Sequence, residues 1–124
     1  MMEEFRRARR RAIQDPVQVV DTMTDTVIGQ LSNLSETGML LIASAPLVED
    51  GLYQLRFNLR GAPHQSSPIE VGAHLLWQDS TSTPGQTWSG FRFITMLESE
   101  LQQLRHWLES GHGKPMRGGA SWDE

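Results

Sequence analysis

The sequence predicts a mainly β fold, an antiparallel barrel or sandwich that is completed by one C-terminal helix. About six short segments before residue 97 either alternate apolar and polar residues or form brief apolar runs, with turn residues between them. These segments have no helical pattern between them, which excludes a parallel sheet built from βαβ units. After residue 97 the apolar residues adopt the spacing of a single amphipathic helix.

The first three predicted strands are short. Asp15-Pro16 fixes an extended entry, because the residue before a proline is pushed out of the α region, and a strand follows from Val17. A second strand over residues 27–32 ends in the turn-forming stretch Asn33–Gly38, which reads NLSETG. Met39–Ala43 is an apolar run too short for a stable helix, so we interpret it as a strand buried on both faces.

Three longer strands are predicted next. The clearest runs from Tyr53 to Leu59 with a strict period of two, which is typical of a half-buried strand. Ile69–Trp77 and Thr87–Met96 are also predicted as strands, and the polar stretch Asp79–Gln86 is predicted as the hairpin loop that joins them.

The C-terminal helix is predicted from leucine spacing. Four leucines fall at i, i+4, i+7 and i+11, namely Leu97, Leu101, Leu104 and Leu108. Thr95 and Glu98 have the spacing of a capping box at its start. Gly111 is placed to end the helix, since glycine tolerates the left-handed conformation that is common there.

Length and composition restrict the class of protein. A chain of 124 residues makes one domain, and the absence of cysteine excludes disulfides and thiol catalysis and favours a cytoplasmic setting. No run approaches the ~20 apolar residues of a membrane helix, so no membrane insertion is expected. We divide the chain into a flexible arginine-rich arm (1–14), a barrel with its helix (15–110) and a disordered tail (111–124).

The charge of the chain is unevenly distributed. Residues 1–11 contain five arginines and two glutamates, net +3, and the rest of the chain is net −7. Arginine presents a planar fork of donors that fits a phosphate and also stacks on a purine. The arm is therefore either a solvated charge run or a site for a phosphorylated, base-bearing ligand.

No enzyme, metal or cofactor is predicted. The four histidines have no metal-ligand spacing: His64, His74, His106 and His112. The stretch 111–114 (GHGK) lacks the glycine spacing and the following Ser or Thr of a phosphate-binding P-loop. No G-x-S-x-G elbow occurs, and no carboxylate pair has an evident reason for a shifted pKa.

Two segments together form a more specific pattern. An R-x-x-x-R pair is followed, after about twenty residues, by N-x-S-x-x-G, and then by a β-rich body and a terminal helix. This arrangement resembles the PilZ domain family, whose members are bacterial receptors for cyclic di-GMP. The pair is Arg7 and Arg11 in the register that we prefer, or Arg6 and Arg10 in the other register, and the second motif is Asn33, Ser35 and Gly38.

The resemblance implies a fold and a site. The expected fold is a six-stranded antiparallel barrel of the PilZ type with one C-terminal helix, and the arm is expected to wrap the ligand. The expected ligand-binding residues are Arg7, Arg11, Asn33, Ser35 and Gly38, with Arg6, Arg10 and Trp77 as secondary candidates. The arginines would grip phosphates and stack on guanines. Trp77 would either contact a guanine, as in some family members, or belong to the core.

Three functions remain open from the sequence. The first is a cyclic di-GMP receptor that passes its signal to an unidentified partner protein, through the rearranged arm or through altered self-association such as a homodimer. The second is a ligand-independent adaptor of pilus or motility machinery, as some divergent family members are. The third is a barrel that binds nucleic acid, against which the acidic body argues.

Overall fold

The computed structural model describes residues 10–13, 16–59, 68–110 and 114–115. Its elements are β1 (Arg11–Ala12), β2 (Gln18–Asp21), β3 (Thr26–Leu34), β4 (Gly38–Ala43), β5 (Leu52–Phe57), β6 (Ile69–Ser80), β7 (Thr87–Met96), α1 (Glu98–Ser110) and β8 (Lys114–Pro115). The prediction of a mainly β fold with one C-terminal helix is confirmed. Within the described residues, no helix is both long enough and apolar enough to cross a membrane.

Six strands close into an antiparallel barrel. Their order is β2-β5-β6-β7-β4-β3, and β3 pairs back with β2 to complete the circle. Closure gives each of these strands a neighbour on both sides, which removes the exposed edges that an open sheet would present. The structure therefore selects the barrel over the sandwich, as the family resemblance implied.

The interior of the barrel forms the core. The alternation predicted for β5 places Leu55 and Phe57 inside, and both are fully buried. From α1, Leu104, Trp107 and Leu108 pack against the same buried cluster. The helix thus supplies part of the apolar core instead of standing apart from the barrel.

The predicted start of the helix is wrong. Leu97 is 67% exposed, and its carbonyl accepts the hydrogen bonds of the Glu100 and Leu101 amides that begin the helix. Leu97 therefore occupies the N-cap position, where a side chain lies outside the helical stripe. Thr95 is still part of β7, so it does not form a capping box with Glu98.

The prediction that Met39–Ala43 is buried on both faces is also wrong. Met39 and Leu41 are fully buried, whereas Leu40 and Ile42 are half-buried on the outer face of the barrel. A strand of a closed barrel turns only one of its faces to the interior. The apolar run therefore supplies an outer surface as well as core.

Two strands occur in segments that we assigned to the arm and the tail. β1 and β2 pair with the same edge of β3, where β2 lies along its first part and β1 along its end. β8 pairs with the opposite edge of β1. Each strand is two residues long, which is too short for any sequence period to reveal it. These pairings attach the end of the arm to the barrel.

Candidate functional site

Arg11 is directed towards the helix. It lies opposite Leu34 of β3, a fully buried core residue. Its Nε donates a 2.9 Å hydrogen bond to the Leu108 carbonyl near the C-terminal end of α1. A cation there also complements the partial negative charge of a helix C-terminus. Arg11 therefore joins β1 to α1.

Arg10 is directed to the other side of β1. Side chains two residues apart share a face of a strand, so Arg10 lies on the face of Ala12, which is opposite Asn33. Arg10 Nη1 donates a 2.9 Å hydrogen bond to Asn33 Oδ1, and both side chains are buried. The arginine block and the N-x-S-x-x-G motif, 23 residues apart in sequence, are thus in direct contact.

Ser35 and Gly38 form the turn between β3 and β4. The Ser35 side chain is fully buried, and its Oγ accepts hydrogen bonds from the amides of Thr37 and Gly38, at 3.2 and 3.3 Å. A Cβ at Gly38 would fall on the carbonyl oxygen of Phe91 in β7, so only glycine permits this approach. Both residues hold the end of β3, and with it Asn33, against the barrel.

Asn33 belongs to a row of residues that crosses four strands. Its register partner is Leu40, the partner of Leu40 is Gly90, and the partner of Gly90 is Trp77. Directly opposed residues share a face of the sheet, and neighbouring strands are ~4.8 Å apart. The outer face therefore carries a continuous strip, about 14 Å from Asn33 to Trp77 by this spacing.

Trp77 lies on the outer face instead of in the core. Its indole covers Gly90, where an added Cβ would overlap the ring and come within 2.9 Å of Cζ2. The side chain is half-buried, so part of the ring remains accessible. A half-exposed indole lying on the sheet offers an apolar surface on which a flat aromatic ring can stack.

Arg92 is a neighbouring cation that the sequence analysis missed. It is exposed on β7, two residues beyond Gly90 and opposite Gly38. Arg92 lies between Phe91 and Phe93 in sequence, and this alternation of apolar and charged residues indicates that Arg92 faces outward. The same pattern could have identified it from the sequence. Leu40 and Gly90 were missed because the pairing register, which puts them in the row, cannot be read from local sequence.

The predicted site residues are only partly assembled in the described ranges. Arg10, Asn33 and Trp77 share the outer face, Ser35 and Gly38 shape the adjoining turn, and Arg11 is directed to the helix. Arg6 and Arg7 lie outside the described residues. Within the described ranges, no cluster of three or more His, Asp or Glu side chains could hold a metal ion.

The turn of the second motif is also tied to the helix. Arg105 of α1 lies 3.1 Å from Glu36, measured from Nε to Oε1, and both side chains are about half exposed. Such a surface pair contributes only about 0–1 kcal/mol to stability. The hydrogen bond from Arg11 to α1 and this ion pair together connect α1 to both motifs, the arginine block and the N-x-S-x-x-G turn.

Comparisons with known proteins agree on the fold. The profile of the PilZ domain matches residues 4–110. The PilZ domain of YcgR from Escherichia coli with c-di-GMP is similar, at a TM-score of 0.63 and 18% identity over 84% of this chain and 88% of that one. No curated protein sequence matches the chain.

Two longer solved chains are also similar. They are the Bacillus subtilis inhibitor of motility MotI/DgrA, at a TM-score of 0.67 and 14% identity, and YcgR from E. coli in complex with c-di-GMP, at 0.66 and 21%. Each match covers 84% of this chain but 49% and 44% of those chains. The chain thus spans about half the length of these two proteins, and at such identities the likeness concerns the fold.

Proposed function

Since the chain belongs to the PilZ domain family, we propose that it is a receptor for cyclic di-GMP (c-di-GMP) that binds its ligand along the outer strip from Arg10 to Trp77. The observation that carries this proposal is the hydrogen bond between Arg10 and Asn33, which joins the family's two motifs. YcgR, which has the same fold, was solved in complex with this ligand. We propose no catalytic role for the chain.

The contacts of the two arginines support the register Arg6/Arg10 over Arg7/Arg11. Arg10 lies beside Asn33 on the outer face, whereas Arg11 donates to a helix carbonyl on the other side of β1. Because the R-x-x-x-R spacing is four residues, Arg6 is the partner of Arg10 in this register. We therefore assign phosphate binding to Arg10 and Arg6, and a structural contact to Arg11.

The remaining residues of the strip have complementary chemistry. Asn33 offers an amide that can hydrogen-bond a base edge or a phosphate, and Trp77 offers a stacking surface for a guanine at the far end of the row. Arg92 adds a second cation for the other phosphate. Ser35 and Gly38 act by shaping the turn. The breadth of about 14 Å lets one ligand with two bases meet both ends of the row.

The charge distribution supports a small anion over a nucleic acid polymer. Five arginines lie within residues 6–11, but the chain beyond residue 11 is net −7. A long polyanion would be repelled by that body, whereas a compact ligand with two phosphates contacts only the cationic end. In this proposal the N-terminal arm closes over the ligand, and charge-assisted hydrogen bonds offset the ordering cost of ~1–2 kcal/mol per residue.

We further propose that α1 passes the signal to a partner protein. Arg11 connects the root of the arm to Leu108, and Arg105 connects the helix to Glu36 in the second motif. A ligand that repositions either motif therefore changes a contact of the helix. Hydrogen exchange of α1 amides with and without c-di-GMP tests this relay, and we expect altered protection in its last two turns. Unchanged protection in saturated protein would contradict it.

Isothermal titration with c-di-GMP tests the receptor proposal. Wild type is compared with Arg10→Met and Asn33→Ala, and with Arg56→Met as a control that removes one arginine from β5, outside the strip. We expect wild type and the control to bind, and both site variants to bind at least tenfold more weakly. A flat wild-type titration would refute the proposal and favour the ligand-independent adaptor.

A further inference from the structure

A second row of residues runs beside the strip on the outer face. Ile42, two residues beyond Leu40 on β4, is opposite Trp88 of β7, and Trp88 is opposite Asp79 of β6. Residues two positions apart on a strand share a face, so this row faces outward like the strip. The strip is therefore bordered by an apolar and aromatic row that ends in a carboxylate.

Two tryptophans come close together where the strip and this row end. Trp77 is opposite Gly90, and Trp88 precedes Gly90 by two residues, so the two tryptophans are diagonal neighbours on one face. Diagonal neighbours are about 7–8 Å apart, within reach of aromatic side chains. Both tryptophans are half-buried, and the Trp77 indole covers Gly90 between the two strands. Together they form an apolar platform on which a purine can stack.

Asp79 lies at the edge of this platform. It follows Trp77 by two residues on the same face, roughly 6.6 Å along β6, and it is directly opposite Trp88. The residue is exposed, and its Oδ1 accepts a 2.9 Å hydrogen bond from the Ser80 amide. That bond orients the carboxylate, whereas no described residue binds Oδ2. The carboxylate therefore keeps acceptor capacity beside the platform.

A carboxylate in this place discriminates between purines. An ionised carboxylate accepts hydrogen bonds and donates none. The Watson–Crick edge of guanine presents two neighbouring donors, N1–H and the 2-amino group, whereas adenine presents an acceptor at N1. A base that stacks on the platform with this edge towards Asp79 is therefore favoured as guanine and disfavoured as adenine.

We propose that Asp79 is a specificity-determining residue of the site, and that its carboxylate accepts hydrogen bonds from N1–H and the 2-amino group of the guanine that stacks on Trp77. This inference rests on the proposed c-di-GMP receptor. The negative charge is compatible with an anionic ligand because the cations lie elsewhere. Arg10 is at the opposite end of the strip, and Arg92 is four residues from Trp88, roughly 13 Å along β7.

Titrations of three ligands test the contact to the base. They are c-di-GMP, its hypoxanthine analogue c-di-IMP, which lacks the 2-amino group, and its adenine analogue c-di-AMP. Each is titrated into wild type, Asp79→Asn and Asp25→Asn. Asparagine keeps an acceptor for the Ser80 amide, and Asp25→Asn is the matched control, because it removes one exposed carboxylate from the turn between β2 and β3.

The sign of the change separates base reading from simple repulsion. We expect Asp79→Asn to raise the Kd for c-di-GMP about tenfold, to raise that for c-di-IMP less, and not to raise that for c-di-AMP. The control should change each Kd less than threefold. If Asp79 only repelled the anionic ligand, all three ligands would bind Asp79→Asn more tightly. That result, or a Kd for c-di-GMP equal to that of the control, would overturn the proposal.

The bound ligand supplies a second test by nuclear magnetic resonance. In wild type saturated with isotope-labelled c-di-GMP, the N1–H proton of a guanine should exchange slowly with water. The signal should be lost in saturated Asp79→Ala, which has no acceptor at this position. Absence of a protected N1–H signal in saturated wild type, or its persistence in Asp79→Ala, would overturn the role of Asp79.

The two proposals fail in distinguishable ways. A wild type that binds no c-di-GMP refutes the receptor, and with it the role of Asp79. A wild type that binds, with weaker binding in Arg10→Met but unchanged binding and base selectivity in Asp79→Asn, leaves the receptor intact and removes only Asp79 from its site.

Discussion

Replacing Arg10 should weaken the binding of c-di-GMP, whereas replacing the adjacent Arg11 should lower the stability of the fold and leave binding nearly unchanged. Arg10 contacts Asn33 on the outer face, and Arg11 contacts the Leu108 carbonyl on the inner side, because consecutive residues of a strand point in opposite directions. Substitution by methionine removes the charge and donors of each but keeps much of the apolar stem. Arg10→Met and Arg11→Met therefore form a matched pair.

The structure sets the size of both effects. Hydrogen bonds to charged groups contribute about 1.5–3 kcal/mol, so losing one ligand contact in Arg10→Met should weaken c-di-GMP binding by about 10- to 150-fold. Arg11 is only half-buried, so solvent weakens its charged hydrogen bond to the Leu108 carbonyl. Arg11→Met loses that bond and a favourable charge at the helix C-terminus, together about 1–2 kcal/mol of unfolding free energy. For a domain of this size that lowers the Tm by about 4–8 °C.

Two assays on the same protein preparations separate the outcomes. Isothermal titration gives the Kd for c-di-GMP, and thermal unfolding followed by circular dichroism without ligand gives the Tm. We expect Arg11→Met to keep its Kd within threefold of wild type while its Tm falls. Loss of binding in Arg11→Met with normal binding in Arg10→Met would refute the assignment and restore the register Arg7/Arg11.

Three further substitutions test the packing around the strip. Gly90→Ala should displace the Trp77 indole and red-shift the tryptophan emission. It should weaken c-di-GMP binding clearly and lower the Tm only slightly. An unchanged emission spectrum and an unchanged Kd would contradict the role of the strip. Gly38→Ala should cost about 1–3 kcal/mol in urea unfolding, because its Cβ meets the Phe91 carbonyl, and wild-type stability would show that the turn can yield. Leu104→Ala should cost about 2–5 kcal/mol in the same assay, and a loss below 1 kcal/mol would mean that the helix is not part of the core.

Much of the fold could be predicted because apolar residues that face the core alternate with polar residues along its strands. Leu55 and Phe57 alternate with polar residues, and the structure buries both of them. Predictions made from single residues at the boundaries of elements were less successful. Leu97 fits the leucine spacing of the helix, yet it caps the helix and is exposed, because the backbone of β7 continues to Met96.

The chemistry of the candidate site could be predicted, but its assembly could not. The arginine block and the N-x-S-x-x-G motif are recognisable by residue type and spacing. Which arginine accompanies Asn33 depends on the pairing of β1, a strand of two residues that shows no period. Leu40 and Gly90 could not be identified as members of the row for the same reason, because their place in it depends on the register of β4, β6 and β7.

The sequence by itself determined the strand content, the helix and the kinds of side chain available for an anionic ligand, because periodicity and residue chemistry are local properties of the chain. Only the tertiary structure decided that Arg10 contacts Asn33, 23 residues away, and that Arg11 contacts Leu108, 97 residues away. Those contacts result from barrel closure, where backbone hydrogen bonds between distant segments and burial of one face of each strand select a single register. That register brings Asn33, Gly90 and Trp77, from three different strands, into one row.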